Sequence, residues 1–145
     1  MFKHILLPTD GSELSAAAVQ QGIRFAKSIG AKVTGLCVMP RQHSFFYHEK
    51  IRKEALEEIA RQFNEQAQTY LKEIEKSAKE AGVVCEVIYD RNDSPYDAII
   101  RTAEDKGCDL IMMASHGRRG VEALLLGSET QKVLTHSKIP VLVYR

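Results

Sequence analysis

Short apolar runs alternate with longer amphipathic stretches along this chain, and that alternation limits the possible folds more than any other feature. The runs over 2–8, 31–39, 83–89, 109–114 and 140–145 are rich in Ile, Leu, Val and Met, as β-strands are. In 31–39, apolar side chains occupy both alternating sets of positions, which indicates burial on both faces of a sheet. A helix after each strand predicts an α/β fold, with a parallel sheet between two layers of helices.

Helix start and stop residues stand at the ends of the amphipathic stretches. Ser12 predicts the N-cap of the first helix, and Gly30 predicts its end. Ser94 and Pro95 have the cap-then-proline order that begins a helix, and this one is expected to run to about Lys106. The boundaries of these two helices therefore follow from single residues.

The longest amphipathic stretch runs from about residue 49 to Ala81, and Gly82 is expected to end it. Such a helix has a length of about 45 Å at 1.5 Å per residue. A shorter helix is expected from Ser128 to about His136. The predicted buried stripe of the long helix comprises Ile51, Ala55, Ile59, Phe63, Ala67, Tyr70, Ile74 and Ala78.

The composition and the net charge of the chain are typical of a globular protein. The chain has 145 residues, of which 44% are hydrophobic and 27% charged, which fits one domain over 1–145. A net charge of +1 argues against a nucleic-acid partner bound by bulk electrostatics, and it gives no reason to expect an anionic membrane. No apolar run approaches the ~20 residues of a membrane span. Three widely separated cysteines predict reduced thiols in the cytoplasm and no metal site.

Two segments with polar and glycine residues follow predicted strands. One is Pro8-Thr9-Asp10-Gly11-Ser12, and the other reads ASHGRRGVEALLLGSET over 114–130. Open parallel sheets bind ligands beyond the carboxyl ends of their strands, where the strand order reverses. If the first and fourth strands are neighbours, both segments face one crevice.

The residues of the second segment leave two interpretations open. Gly117 allows unusual φ values and a close backbone approach to an anion, Arg118 adds charge, and free N–H groups at a helix start favour phosphate. Against this, Ser128-Glu129-Thr130-Gln131 matches an S-x-x-Q capping box, which needs no ligand. Neither a P-loop nor a dinucleotide G-x-G-x-x-G motif is present.

The combined motifs resemble the universal stress protein family. They are Pro8-Thr9-Asp10, the ASHG run, Gly117-x9-Gly127-Ser128 and the closing PVLVYR, and the resemblance covers the whole chain. It implies a doubly wound open sheet of five parallel strands in the order 3-2-1-4-5. It also implies a stress-response switch or sensor that binds ATP or AMP, with Mg²⁺ or Mn²⁺ held through the phosphates. The family's nucleotide-binding pattern is G-x-x-G-x9-G-[ST], and this chain has Ala114 at the first glycine.

The resemblance also implies a role for each site residue. Asp10 corresponds to the contact with the sugar, the Val38 backbone to the contact with adenine, and Met113 to a position beside base and sugar. Other residues border or cradle the phosphates. The full set implied to bind the nucleotide is Pro8, Thr9, Asp10, Val38, Met113, Ala114, His116, Gly117, Arg118, Gly127, Ser128, Glu129 and Thr130.

Alternatives from other functional classes remain open. A dimeric interaction protein without nucleotide is compatible with Ala114, and a slow ATP hydrolase would need Glu129, His116 or Asp10 beside a positioned water. No set of side chains matches an efficient hydrolase. Phe45-Phe46-Tyr47 is expected to pack over the start of the long helix, with a lid on the pocket or a partner surface as the alternatives. His43, His48 and Glu49 match no standard metal site.

The last strand is apolar and has a consequence for assembly. At a sheet edge it would adhere to other strands unless it were covered. In the family, this strand pairs with its twin across a two-fold axis, so the resemblance implies a homodimer through Val141, Leu142 and Val143.

Overall fold

Five parallel strands form a sheet in the computed structural model, which describes residues 1–41, 53–117 and 126–145. The strands are β1 (His4–Thr9), β2 (Lys32–Met39), β3 (Cys85–Arg91), β4 (Leu110–Ala114) and β5 (Val141–Tyr144). Their order is β3-β2-β1-β4-β5, and every neighbouring pair is parallel. The expected doubly wound sheet and its strand order are confirmed.

Four helices connect the strands in the described parts of the chain: α1 (Glu13–Ile29), α2 (Lys53–Ala81), α3 (Pro95–Lys106) and α4 (Ser128–His136). The predicted ends of α1 are confirmed, because Ser12 Oγ accepts from Ser15 N–H and Gly30 takes the left-handed conformation at φ 68°. The predicted start of α3 is confirmed, because Ser94 occupies the N-cap position and Pro95 begins the helix, but the Ser94 hydroxyl makes no capping hydrogen bond.

The start of β3 differs from the prediction by two residues. Val83 was expected to begin the strand, but its N–H donates to Ala78 O, and Gly82 N–H donates to Lys79 O. Both bonds complete the carboxyl end of α2, so these residues finish the helix before the strand begins at Cys85.

The long helix α2 buries its second half. Ala67, Leu71, Ile74 and Ala78 are its buried residues, whereas Ala55, predicted in the stripe, is exposed. The reason is length: a helix of this size spans about 43 Å, and a strand as long as β2 spans only about 26 Å. The amino-terminal half of α2 therefore has little sheet to pack against.

The two faces of the sheet carry separate apolar cores, which confirms the three layers. α1 and α2 cover one face, with Ile5, Leu7, Val33, Val19 and Leu71 in that core. α3 and α4 cover the other face, where Leu6, Leu36, Ile111, Ile99 and Val133 pack together. Adjacent residues of β1 point to opposite cores, as expected of a strand buried on both faces.

A buried histidine lies at the amino end of the sheet, away from the carboxyl ends of the strands. His4 is 4% exposed, and its Nε2 lies 2.7 Å from Thr34 Oγ1. Burial lowers the pKa of His4 below its ordinary value of 6.5, and the nearby positive charge of Lys32 lowers it further; Glu86 and Asp109 act in the opposite direction. The burial of His4 therefore favours its neutral form.

Candidate functional site

The segments after β1 and β4 meet at the point where the strand order reverses. β1 pairs with β2 on one side and with β4 on the other, so the chain leaves both β1 and β4 into the same crevice. A Cβ added to Gly117 would overlap Oδ2 of Asp10. The two predicted segments are therefore in contact, and the contact runs through the backbone of one and the carboxylate of the other.

The turn after β1 is ordered by its own side chains. Asp10 Oδ1 accepts a hydrogen bond of 2.9 Å from Ser12 N–H, and Thr9 Oγ1 accepts one of 3.2 Å from Gly11 N–H. Gly11 has φ 80°, and a Cβ there would overlap the ring of Tyr70 from α2. Glycine is thus needed here for both conformation and space, and Tyr70 is a neighbour of the site that the sequence did not indicate.

The start of α4 is not the capping box that the sequence allowed. Gly127 occupies the N-cap position, no side chain caps the helix, and Ser128 is its first residue. Gln131 N–H donates to Gly127 O in the ordinary helical way, while Gln131 Nε2 donates to Leu126 O. The N–H groups of Ser128, Glu129 and Thr130 therefore lack the side-chain acceptor that a capping box would supply.

Gly127 approaches the end of β4 too closely for a larger residue. Its N–H donates to Ser115 O at 2.7 Å, and a Cβ added there would lie 3.1 Å from His116 Cα. Thr130 Oγ1 donates to Ala114 O at 3.0 Å. These contacts hold the first turn of α4 against the segment that follows β4, and they leave its N–H groups at the edge of the crevice.

Gly117 and Gly127 allow neighbouring groups to come close to the backbone, and neither has an unusual φ value. Among the described residues, the glycines with positive φ are Gly11, Gly30, Gly82 and Gly107, so Gly117 has the close approach that its lack of a side chain allows but not a positive φ. Among the described residues no side-chain-bearing residue has a positive φ either, and Ala114 is buried in β4 opposite Tyr144. The methyl group of Ala114 therefore causes no backbone strain.

Comparison with known proteins supplies the family. The model of the universal stress protein family matches residues 1–145. The chain belongs to the universal stress protein family. Universal stress protein MJ0531 of Methanocaldococcus jannaschii is 32% identical over 145 residues, which cover 100% of this chain and 83% of that protein.

Two solved structures show how far the likeness extends. That of MJ0577, also named a universal stress protein of M. jannaschii, has a TM-score of 0.83 and 32% identity, covering 99% of this chain and 95% of that one. A universal stress protein in complex with cAMP has a TM-score of 0.72 and 26% identity, covering 99% of this chain and 97% of that one.

The other predicted site residues of this universal stress protein lie along the same edge of the sheet. Val38 is one residue beyond the last pair between β1 and β2, Thr9↔Cys37. Met39 O accepts from Asn92 N–H on the β3 side, so the backbone of Val38 faces the β1 side, where β1 ends. Pro8 and Met113 lie near the ends of β1 and β4, and the Met113 side chain belongs to the core under α3 and α4.

The candidate hydrolytic groups have structural partners. Glu129 Oε2 accepts from the backbone N–H of Tyr96 in α3 at 2.9 Å, and His116 Nδ1 lies 3.1 Å from Ser115 Oγ. Glu129 thus caps α3 in place of Ser94, through a contact between residues distant in sequence. Within the part of the chain that the structure describes, neither side chain has the paired arrangement of a general base and its orienting group.

Several predicted features lie outside the described residues. They are Arg118 of the phosphate site, Ile51 of the predicted stripe, the aromatic run 45–47 and the polar residues His43, His48 and Glu49. Within the residues that are described, no group of three or more His, Cys, Asp or Glu side chains could hold a metal ion. No described helix is long and apolar enough to cross a membrane.

Proposed function

We propose that this universal stress protein binds an adenine nucleotide, ATP or AMP, in the crevice between β1 and β4 and acts as a stress-response switch or sensor. One observation carries the proposal: the first N–H groups of α4 have no side-chain cap and lie beside a segment where glycines replace side chains. A cradle of backbone N–H groups at a helix N-terminus, with no Cβ in the way, favours phosphate. The cAMP complex of a relative that is 26% identical supports the same ligand class.

Each part of the nucleotide has a matching group in the crevice. The Asp10 carboxylate suits the ribose hydroxyls, and the Val38 backbone, beyond the end of β1, suits the edge of adenine. Pro8, Thr9, Met113 and Ala114 would form the floor under base and sugar. His116, Gly117, Arg118, Gly127, Ser128, Glu129 and Thr130 would surround the phosphates.

A divalent cation would bind here through the nucleotide rather than through protein ligands alone. Phosphate oxygens are preferred ligands of Mg²⁺, which commonly binds proteins through few carboxylates plus substrate phosphates. Since the described residues offer no cluster of three carboxylate, histidine or thiolate ligands, we propose that Mg²⁺ or Mn²⁺ enters with the nucleotide and is held mainly by its phosphates.

The arrangement favours binding over turnover. Glu129 is engaged by the N-terminus of α3, and Asp10 is engaged by Ser12 N–H. Each carboxylate is oriented by a backbone N–H, and among the described residues Glu129 is not paired with a second group in the way a general base requires. We therefore propose a binding protein, in which any ATP hydrolysis is slow and incidental.

The edge strand β5 and the cysteines bear on the assembly and the cellular location of the protein. β5 is an edge strand, and Leu142 on it is 38% exposed. An uncovered apolar edge pairs readily with another strand, so we propose a homodimer through Val141, Leu142 and Val143. Cys37, Cys85 and Cys108 form no disulfide, which is compatible with the reducing cytoplasm, where we propose that this single domain resides.

The test is calorimetric titration of nucleotide-stripped protein with ATP and with AMP, each with magnesium. We expect micromolar dissociation constants, about −8 kcal/mol. Gly117→Asp should abolish the signal because its carboxylate repels phosphate, whereas Gln66→Glu adds the same charge on an exposed position of α2 and should change nothing. No heat and no thermal shift at millimolar ATP would favour the nucleotide-independent interaction protein.

A further inference from the structure

The side chain of Glu129 joins the beginnings of two helices. Its Oε2 accepts the 2.9 Å hydrogen bond from Tyr96 N–H in α3, and its Oε1 lies 3.4 Å from Lys132 Nζ. Lys132 Nζ lies 5.6 Å from the centre of the Tyr96 ring, which is itself 5.1 Å from the ring of His136. We call these four residues, Tyr96, Glu129, Lys132 and His136, the α3–α4 bridge.

Helix α3 receives its side-chain acceptor from Glu129, because the N-cap residue Ser94 does not supply one. The Ser94 side chain makes no capping bond, and Pro95 has no N–H to donate. Tyr96 therefore carries the first free N–H of the helix, and Glu129 accepts it. A carboxylate at a helix N-terminus is favoured by the partial positive charge there.

Glu129 is also the second residue of α4, so its backbone N–H belongs to the proposed phosphate cradle. Thr130 fixes the first turn of α4 to β4 through Ala114 O, and Glu129 fixes the same turn to α3. A carboxylate left loose at this position would repel a phosphate. The Tyr96 N–H and Lys132 instead take up its charge, on the side of α3.

We propose that Glu129 is a positioning residue for the phosphate: by accepting the Tyr96 N–H, it holds the cradle in place and directs its own charge away from the anion. The proposal rests on the nucleotide-binding function proposed above. It assigns to the side chain a role separate from that of the Glu129 backbone N–H.

The test compares adenosine with AMP, because only AMP carries a phosphate. Calorimetry on the full chain should show tighter binding of AMP than of adenosine in the wild type. In Glu129→Ala, the affinity for AMP should fall about tenfold, the size of one charge-assisted hydrogen bond, and that for adenosine should stay unchanged. Glu129→Gln keeps an acceptor for Tyr96 N–H and loses the charge, so its affinity for AMP should equal or exceed that of the wild type.

Two further variants keep the test decisive. Glu80→Ala removes an exposed carboxylate near the carboxyl end of α2 and should leave both affinities unchanged. If circular dichroism shows that Glu129→Ala is unfolded, Glu129→Asp replaces it, because the shorter side chain keeps the charge but does not reach Tyr96. The expected loss for AMP is then the same.

The outcomes separate this inference from the proposed function. Phosphate-dependent binding in the wild type that survives Glu129→Ala overturns the inference alone. Equal losses for adenosine and AMP also overturn it, because they indicate a general effect on the fold. A wild-type protein that binds neither compound overturns the proposed function and the inference with it.

Discussion

The substitution Gly117→Ala tests whether the stability of the fold depends on the close contact between Gly117 and the Asp10 carboxylate. An added Cβ would overlap Asp10 Oδ2, so the carboxylate has to turn and give up its 2.9 Å bond from Ser12 N–H. Losing a hydrogen bond to a charged group costs about 1.5–3 kcal/mol. Because φ of Gly117 is not positive, alanine brings no strain and returns about 0.4–1 kcal/mol by restricting the unfolded chain.

The net expectation for Gly117→Ala is a free energy of unfolding lower by about 0.5–2.5 kcal/mol, and a melting temperature lower by about 2–8 °C. Urea unfolding of the wild type, Gly117→Ala, Asp10→Ala and the double variant forms a double-mutant cycle. In the Asp10→Ala background the overlap is gone, so Gly117→Ala should be neutral or stabilising. An equal cost of Gly117→Ala in both backgrounds would refute the reasoning.

Two other predictions concern parts of the fold away from the crevice. His4 has a lowered pKa when folded and an ordinary one of about 6.5 when unfolded, so the unfolded state binds the proton first and the free energy of unfolding should fall as the pH drops below about 6.5. Urea unfolding between pH 5 and 8 checks this: His4→Gln should show a shallower fall, and identical slopes would contradict the assignment. Leu142→Lys places a charge on the exposed edge of β5 and should convert the proposed dimer to monomers in light scattering, while Lys138→Ala, at an exposed position before the strand, should not. A dimer that persists in Leu142→Lys would locate the interface elsewhere.

The alternation of apolar runs with amphipathic stretches was enough to predict each strand and helix of the described residues. Residue type alone was less reliable at helix starts. Ser94 occupies the N-cap of α3 as predicted, yet the side-chain acceptor there is Glu129, and Ser128 is the first residue of α4 because Gly127 occupies that N-cap. Local sequence cannot show which acceptor reaches a helix end, because that acceptor can belong to another element, which comes near only when the chain folds.

The strand order and the site could be predicted only through the family resemblance, since nothing local states that β1 and β4 are neighbours. The glycines illustrate the difference. The sequence indicated that Gly117 allows a close approach or an unusual φ, but it could not indicate that the group approached is the carboxylate of Asp10, a residue far away in the sequence. The sequence contains both partners of such a contact but not the contact itself.

The position of β1 affects how the protein is made. Ile5, Leu6 and Leu7 are fully buried in the central strand, although this strand is the first to be synthesised. The second neighbour of β1 is β4, which pairs with it from Ile5↔Leu110 onward. One edge of β1 therefore lacks its partner until the chain up to β4 has been synthesised. An unpaired apolar strand edge is a template for association with other chains. Until that partner is made, the apolar edge of β1 is therefore open to association with other chains.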